Sequence, residues 1–575
     1  MSDAMSEEPL KAKRSDDEDA AIWERFAGRP GEDAKVSAVH RLRIAGSSPD
    51  GFGLHMRQII PPDELRGEML MQGIWRIGMD RLALTDGAAP WSGAMPSRHY
   101  ANRLHRFDWL PDLFTQGDIG ADRARFLVDD WIENFGRFDG FTWRMGCAAD
   151  RVWNWMRCGA ALFETGLPEA CDVRLEALGR QARHVLALVD SELEPKARWR
   201  GSTLAVAHAI CLGRGKGLED ALMRLESECT AQFFPDGGHV SRSPARALSC
   251  LADLITINDL LSRSDREIPE FLGRWIARIG GMVAFFKAGD DALMPFHDGD
   301  ERWPEAVDAV LEHMNAPPRR FSVAPKSGFH KLQKGTTVLV LDAGAAPEPP
   351  FGDKAHAGAL GFELHDGPAR IVTSCACSPE IDIAFRAAVR STSAHSTLIL
   401  NNEDSSQFKT NEDTRLQFPD GPDGISAKRL EEDDEIWLDA QHGGYKKDFG
   451  LLHRRRLFMS GDGKRLTGED SLARPVSAGP TENEAPISYD LRFHLHPTVG
   501  ATMAGDSIVL ESNLGSKWRF KTSHSQAKLE ETIYLGRGII ERSKQIVLSG
   551  KALPNSDGST PPNCVRWAFL RVEKA

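Results

Sequence analysis

The sequence predicts a multidomain α + β protein, with a helical N-terminal part followed by a C-terminal part of antiparallel strands. Apolar residues recur at helical spacing from about residue 22 to 315, and they alternate with a period of two after residue 326. The length of 575 residues also exceeds what one hydrophobic core can organise. We therefore predict two folded domains joined by a linker over residues 316–326.

The first domain is predicted to consist of helical hairpins. Its breaks, such as RFDGFT and PDGGH, are short, and short connections join antiparallel helices. The clearest amphipathic runs are residues 121–135, 148–164, 172–193, 243–264 and 271–289. Residues 1–21 are charged and poor in apolar side chains, which is typical of a disordered tail. The helical domain is accordingly expected to span residues 22–315.

The second domain, residues 327–575, is predicted to be a β-sandwich or a β-barrel. Strand-like runs include TTVLVLDAG (336–344), LGFELHDGPARIVTSC (360–375) and HSTLILNN (395–402). Turn pairs such as DG and GD separate the runs. Many short strands without helices between them are typical of both architectures.

Composition limits the classes of partner and of location. The formal net charge of −12 disfavours nucleic acid as a partner, although an acidic chain can bind an acidic polysaccharide in a locally basic cleft. No run of about 18 apolar residues predicts a transmembrane helix, and the first residues lack the apolar core of a signal peptide. Nine cysteines without a CxxC pair predict reduced thiols. By sequence alone we expect a cytoplasmic protein, and a homo-oligomer is compatible with the sequence.

Tryptophan is concentrated in the helical domain. Eleven of the fourteen tryptophans precede residue 315, and aromatic rings on a concave face can stack on sugars. The alternative is that these rings fill the core at helical spacing. We predict that Trp109, Trp143 and Trp155 line a sugar-binding groove.

Several motifs resemble those of the heparinase II/III polysaccharide lyases, over about residues 70 to 570. The motifs are LHRFDWLPDL (104–113), FTWRMGCAADRVWNWM (141–156), PDGGHVSRSP (235–244), HAGALGFEL (356–364), FRAAVRSTSAHSTLIL (385–400) and DLRFHLHP (490–497). The resemblance implies an (α/α) toroid followed by an antiparallel β-sandwich, with a glycan cleft between them. It also implies a location in the periplasm or cell envelope, in contrast to the absent signal peptide.

The resemblance further implies cleavage of a uronate-containing polysaccharide or oligosaccharide by β-elimination. This reaction needs a group that neutralises the carboxylate, a base and an acid. His239, Lys354 and His356 are expected to transfer the protons, and Lys354 would do so only with a lowered pKa. Arg242 and Arg246 are predicted to share a helix face. The residues expected to bind substrate are Arg242, Arg246, Arg386, Arg390 and His395.

This sequence departs from the family pattern at several places. Ala245 or Arg246 stands where the family has a catalytic Tyr, and residues 200–202 lack the Asn that would bind the carboxylate. The family's His-x-His-x-Asp pattern reads Lys354-Ala355-His356-Ala357-Gly358, and Ser374 stands near the position of a metal-binding Asp. His356 and His395 would be the remaining zinc ligands, and two ligands make a poor zinc site. We therefore expect no cofactor.

Two other functions stay open. A catalytically degenerate glycan-binding protein would keep the cleft and lose turnover, which the missing Tyr and metal ligands favour. An α/α-toroid glycoside hydrolase would need an acid and a base, for which a loop after the last toroid helix offers Asp298, Asp300 and Glu301. Fold alone does not decide among these functions, because one scaffold hosts several chemistries.

Overall fold

A computed structural model of the chain describes residues 38–572, except residues 86, 214, 302–303, 379–380, 382, 411–416, 479–484 and 525. The predicted tail at 1–21, the predicted helical residues 22–37, Trp23 and Trp303 lie outside the described residues. Apart from one short hairpin, helices form the described chain as far as Glu312, and strands dominate from Val323 onward.

The helices of the first domain begin at residues suited to helix starts. Proline is the first residue of four of them, where its missing N–H costs no hydrogen bond. The helices are α1 (Ala38–Ile44), α2 (Glu64–Met71), α3 (Arg98–Leu104), α4 (Leu110–Leu113), α5 (Gly117–Phe135), α6 (Met145–Phe163), α7 (Pro168–Leu188), α8 (Pro195–Cys211), α9 (Leu218–Gln232), α10 (Pro244–Arg263), α11 (Glu270–Phe286) and α12 (Pro304–Glu312). The loop with Asp298, Asp300 and Glu301 is predicted to follow the last toroid helix, but α12 comes after it. This loop therefore lies between α11 and α12.

The helices form an inner and an outer layer. α6, α8 and α10 contact one another in sequence, and each also pairs with the helix that follows it, α7, α9 or α11. The inner helix α8 buries 12 of its 17 residues, whereas its outer partner α9 buries 6 of 15. Two layers of paired helices are the arrangement of an (α/α) toroid, as predicted.

The strands pair into two large antiparallel sheets and two small hairpins. They are β1 (Ile74–Ile77), β2 (Asp80–Ala83), β3 (Val323–Ala324), β4 (Phe329–Lys334), β5 (Thr337–Asp342), β6 (Phe362–Asp366), β7 (Ala369–Thr373), β8 (Leu398–Leu400), β9 (Gln407–Thr410), β10 (Gln417–Asp420), β11 (Ser426–Glu432), β12 (Glu435–His442), β13 (Leu452–Met459), β14 (Arg465–Ala473), β15 (Ile487–Leu495), β16 (Val499–Ala504), β17 (Ser507–Ser512), β18 (Lys517–Thr522), β19 (Lys528–Tyr534), β20 (Glu541–Ala552) and β21 (Cys564–Arg571). Two short helices, α13 (Ile383–Val389) and α14 (Lys446–Phe449), interrupt them.

The two large sheets pack face to face as a β-sandwich. One has the order β19-β20-β15-β7-β6-β5-β4-β3, with β8 beside β15, and the other has the order β11-β12-β13-β14-β21-β18-β17-β16. Alternate residues point inward, as in β12, where Ile436 and Leu438 are buried and Trp437 is exposed. Between the sheets, the rings of Phe362 and Trp567 stack with centroids 5.7 Å apart.

The nine-stranded sheet joins the toroid through buried polar contacts. Arg242, just before α10, donates to Asp342 at the end of β5, with Nη1 and Oδ2 3.3 Å apart. Arg370 of β7 binds Asp290, which follows α11, with Nε and Oδ2 2.7 Å apart. These contacts fix the position of the sandwich loops over one end of the toroid.

Two features of the whole chain concern its thiols and its helices. All nine cysteines are free thiols, and all but Cys171 are buried. Between residues 38 and 572, apart from the gaps named above, no helix is long and apolar enough to cross a membrane.

Candidate functional site

Basic side chains from both domains act on one another where the toroid meets the sandwich, and we call the surface formed by Arg106, Lys196, Arg246, Lys354 and Arg386 the recess. Lys196, in the first turn of α8, is exposed, yet its pKa is lowered to about 7. The largest cause is the positive charge of Arg106, followed by desolvation and by the charges of Lys354 and Arg246. A side chain that reaches solvent and is still crowded by protein lines a concave surface.

His99 of α3 lies near charged residues of both domains. Its side chain is exposed, but desolvation and then the charge of Arg386 lower its pKa to about 3. Arg103, Arg106 and Lys354 act in the same direction. Because Arg386 lies on α13 of the sandwich and Arg103 lies on α3, the two domains contribute charge to one site.

Asp150 is the acidic residue that holds the toroid side of the recess together. Its Oδ2 atom lies 3.3 Å from Nη1 of Arg106, and its Oδ1 atom accepts a hydrogen bond from Nε of Arg200 at 3.0 Å. Burial alone would raise the pKa of Asp150, but the charges of Arg106, Lys196 and Arg200 lower it to about 2. Asp150 is therefore a carboxylate that orients the basic side chains.

Two arginine donors beside Lys196 lack an acceptor. Among the residues that the structure describes, neither Nε of Arg106 nor Nη2 of Arg246 has a hydrogen-bond partner, although both atoms are buried. Leaving a buried charged donor unsatisfied is costly. An anionic ligand would supply the missing acceptors once these side chains turn toward the recess.

Lys354 belongs to the recess and is partly exposed. Its Nζ atom lies 2.6 Å from Oδ2 of Asp298, and 43% of its side chain is exposed. Its charge acts on both Lys196 and His99. Lys354 therefore faces the basic side chains of the toroid and is held in place by Asp298.

His239 points into the toroid. Its Nδ1 atom lies 2.7 Å from Oγ of Ser241, and its Nε2 atom lies 3.3 Å from Oε1 of Gln232. Desolvation, and then the charge of Arg246, lower its pKa well below the usual value. Both ring nitrogens thus have internal partners that hold the PDGGH turn.

His356 and His395 contact each other in the sandwich, behind the recess. Nδ1 of His356 lies 3.0 Å from Nε2 of His395, and Nδ1 of His395 lies 2.8 Å from the backbone oxygen of Ser391. Ser374 lines the same small cavity and offers no carboxylate. In the described part of the chain, no three His, Cys, Asp or Glu side chains are grouped to hold a metal ion. These residues do not fit the zinc that the family resemblance implies.

The predicted substrate-binding arginines separate into two groups. Arg242 has a left-handed backbone conformation (φ 62°), lies outside α10 and is buried against Asp342, so the prediction that it shares a helix face with Arg246 is wrong. Arg390 donates to the backbone oxygens of Ala355 and Gln417, both at 2.9 Å, and so fixes loops. Arg246 and Arg386 contribute charge to the recess.

The predicted groove tryptophans lie in the core. Trp109, Trp143 and Trp155 are each at most 2% exposed. Nε1 of Trp109 donates to the backbone oxygen of Leu104 at 3.0 Å, and Nε1 of Trp143 donates to that of Phe135 at 2.9 Å. The prediction that these rings line a groove is wrong for Trp143 and Trp155, which pack in the core. Trp109 borders a cavity of about 230 Å³ that is also lined by Arg103 and Arg537.

The carboxylates of the 298–301 loop all have partners. Asp298 binds Lys354, and Asp300 accepts a hydrogen bond from Oγ of Ser378 at 3.2 Å. Glu301 is buried beside Arg370 at 3.0 Å and His496 at 3.2 Å, and despite desolvation these groups lower its pKa. This loop joins the domains and offers no pair of opposed free carboxylates for a hydrolase.

Sequence reasoning missed Lys196, Arg106 and His99. Arg106 and His99 fall in the run RHYANRLHR (98–106), in which five of nine residues are Arg or His. That density of basic residues on a short helix and its following turn was the available signal. Lys196 had no signal of its own, because its pKa depends on residues brought together by the fold.

Comparison with known proteins agrees with this architecture. A protein family described as Heparinase II/III-like, C-terminal, matches residues 316–568. The FtsZ-localized protein C of Caulobacter vibrioides is 32% identical over 567 residues, which are 96% of each chain.

Solved structures of lyases share the fold. A crystal structure of heparinase III aligns with a TM-score of 0.69 at 14% identity, covering 93% of this chain and 89% of that one. The heparan sulfate lyase HepC of Pedobacter heparinus aligns with a TM-score of 0.56 at 14% identity, covering 90% and 84%. The matched domain and the relative of equal length lead to one conclusion: this chain belongs to the heparinase II/III-like family.

Proposed function

We propose that this chain binds an acidic, uronate-bearing oligosaccharide in the recess between toroid and sandwich. The observation that carries the proposal is the pair of buried donors, Nε of Arg106 and Nη2 of Arg246, that have no acceptor among the described residues. A carboxylate is planar and accepts paired hydrogen bonds from guanidinium groups. The same ligand would offset the mutual repulsion of Arg106 and Lys196.

Charge also favours this class of ligand. The chain as a whole carries a formal net charge of −12, so a recess lined by Arg106, Lys196, Arg246, Lys354 and Arg386 is a local exception. Walls of low dielectric constant concentrate the potential of such a recess on a bound ligand. An extended acidic glycan can place one carboxylate near each wall.

Binding without turnover is the form of the function that the geometry favours. His239 has both ring nitrogens bonded inside the toroid. His356 is bonded to His395 through Nδ1, and its Nε2 atom is buried without a partner among the described residues. The family's Tyr position holds Ala245 or Arg246. The residues expected to move protons are therefore replaced or bonded within the protein, whereas Arg106 and Arg246 keep donors without an acceptor among the described residues.

The test is calorimetric titration of the intact chain with oligogalacturonate, hyaluronan and heparan sulfate oligosaccharides. We expect binding to at least one of them, and Arg106→Ala and Arg246→Ala should each weaken it by about 10- to 100-fold, as for a lost charged hydrogen bond. Lys551→Ala, an exposed lysine of β20, is the matched control and should leave the Kd unchanged. Equal affinity of all four proteins would refute the recess as the binding site.

β-Elimination is a second candidate, favoured by the lowered pKa of Lys196. An amine with a pKa of about 7 is partly neutral at physiological pH and can serve as a general base. Lys354, the base expected from the sequence, would then neutralise the uronate carboxylate. Incubation with the same oligosaccharides should raise ultraviolet absorbance as the unsaturated product forms, and Lys196→Met should abolish the rise. If the absorbance does not rise with any of these substrates, β-elimination is refuted and binding is the only function that remains.

We also propose that this chain is localised with FtsZ in the cytoplasm. The support is the relative of equal length whose name describes it as FtsZ-localized. A fluorescent fusion expressed in the native host should form a band at midcell that disperses when FtsZ is depleted. A fusion that stays at midcell without FtsZ, or that is exported to the periplasm, would contradict this location.

A further inference from the structure

A large groove lies on the sandwich, away from the recess. It has a volume of about 780 Å³ and crosses the outer face of the eight-stranded sheet. The contacts with the toroid come from the other sheet and its loops. The groove is therefore independent of the glycan recess and of the function proposed for it.

The floor and rims of this groove follow one row of directly opposed residues. Register places Leu430 opposite Trp437, Trp437 opposite Phe458, and Phe458 opposite Thr467. The row continues through Ala568 to Lys521. Thr467 and Ala568 are small, so the surface dips between the aromatic residues on one side and Lys521 on the other. The result is a trough that runs across six strands.

The apolar end of the trough is exposed. Leu430 is 56% exposed and Trp437 is 48% exposed, whereas most large apolar side chains of this domain are buried. The rings of Trp437 and Phe458 lie 4.4 Å apart, and the Arg465 guanidinium lies 4.9 Å from the Phe458 ring. Trp437 is thus held in place by its neighbours, so an incoming apolar group meets a preformed surface.

A charged row runs beside the apolar one. Its members, in strand order, are Lys428, Asp439, Arg456, Glu469 and Arg566. Asp439 is also paired with Arg454, and Glu469 with Arg456 and Arg566. Counting Arg429 and Lys521, the groove is lined by five positive and two negative side chains, a net charge of +3. On a chain of net charge −12 this is a basic surface.

We propose that this groove is the docking site for an acidic amphipathic helix of a protein partner. Six strands span about 24 Å at the usual strand spacing, which is the length of a helix of about 16 residues. A helix can place apolar residues at i, i+3, i+4 and i+7 on the row from Leu430 to Ala568. Acidic residues on its flank would face Lys428, Arg456 and Arg566.

An apolar row that includes a leucine favours a peptide over a sugar. Sugars stack on flat aromatic faces, but the Trp437 ring is tilted by 56° against Phe458 and borders Leu430. An extended peptide is disfavoured because five of the six strands under the groove, all but the edge strand β11, already have neighbours on both sides within the sheet. A helix satisfies its own backbone and contributes only side chains.

The test selects binders from a displayed library of random 16-residue peptides against the intact chain. Enriched peptides should carry a net negative charge and apolar residues at helical spacing. Their synthetic forms should bind at least tenfold more weakly to Trp437→Ala and several-fold more weakly to Lys428→Glu. Met503→Ala is the control, because Met503 is exposed on the same sheet but outside the groove.

Three results would overturn the proposal. The first is enrichment of basic or neutral peptides, or of peptides that bind Trp437→Ala as well as the wild-type chain. The second is oligosaccharide binding that is lost in Trp437→Ala, which would make the groove a glycan site. The third is a change of oligomeric state in Trp437→Ala by sedimentation, which would make the occupant a second copy. Lys428 is exposed, so Lys428→Glu should leave the fold intact. Weaker peptide binding by this variant would therefore result from the changed charge of the groove and not from unfolding.

Discussion

Nδ1 of His356 lies 3.0 Å from Nε2 of His395, so each imidazole is the hydrogen-bond partner of the other. In the family pattern these positions belong to a zinc site, whereas here Ser374 replaces the acidic ligand. The pair stabilises the fold through a buried hydrogen bond and leaves few ligand atoms for a metal.

His395→Ala should lower the free energy of unfolding by about 1–3 kcal/mol, because Nδ1 of His356 loses its partner while Nε2 already has none among the described residues. Urea denaturation measures the change, and His313→Ala, at an exposed histidine, is the control. Added zinc or a chelator should leave the Tm of the wild-type chain unchanged. A zinc-dependent rise in Tm that disappears in His395→Ala would show that the pair binds metal after all.

Stability should fall when the pH is lowered from about 6.5 to 5. Desolvation lowers the pKa of His395 to about 4 and that of His494 to about 3, so both are neutral in the folded state. In the unfolded state they bind protons below about pH 6.5, which favours unfolding by up to about 1.4 kcal/mol per pH unit for each histidine. Urea denaturation at several pH values gives the slope of the free energy of unfolding against pH.

His494→Gln should reduce that slope, and His313→Gln should not, because His313 is exposed in both states. Carboxylates with lowered pKa values lose their stabilising charge at lower pH and contribute little above pH 5. Stability that is flat across this pH range would contradict the burial of neutral histidines.

Arg242→Met should destabilise the chain by about 3–5 kcal/mol. In the wild-type chain, Arg242 and His297 hold the pKa of Asp342 below its usual value, although desolvation alone would raise it. The substitution removes Arg242 and leaves the Asp342 carboxylate buried without its strongest partner. Arg454→Met removes the partner of Asp439 in a partly exposed pair, so it should cost less than about 1 kcal/mol. Thermal unfolding measures both changes in stability. If Arg242→Met and Arg454→Met lower stability equally, the buried pair at the junction stabilises the chain no more than an exposed pair does.

Lys196 should react with acetic anhydride at pH 7 far faster than other lysines. With a pKa of about 7 about half of its amine is neutral, against about one in 2,500 for an ordinary lysine. Mass spectrometry of the labelled chain compares Lys196 with Lys551. Arg106→Ala removes the largest cause of the shift and should slow the labelling of Lys196 alone. Labelling of Lys196 at the rate of Lys551 would contradict the lowered pKa.

The order of the two domains could be predicted because the apolar period changes from helical to alternating along the chain. The period alone does not tell which apolar side chains face a groove and which face another helix, as the tryptophans show. Helical spacing places Trp109 and Trp155 on apolar stripes, but in a toroid of two layers such a stripe faces another helix. A concave surface and an internal packing surface therefore have the same period.

Candidate site residues could be named from the sequence only where they belong to a motif of the family. Lys354 was named because it stands at the first His of the family's His-x-His-x-Asp pattern, and its role stays a prediction. Lys196 and Arg106 lie far apart in sequence, and the effect of one on the other exists only after folding. His239 carried a family motif, but its environment could not be read from the sequence, because Gln232 belongs to the preceding helix.

The junction between the halves has an evolutionary consequence. Arg242 and Asp342 come from different domains, and a Cβ atom on Gly289 would lie 2.1 Å from the backbone oxygen of Gly367. A chimera that exchanged the sandwich for that of a distant relative would lose this fit at both points. The toroid and the sandwich are therefore constrained to change together at this junction, as one unit.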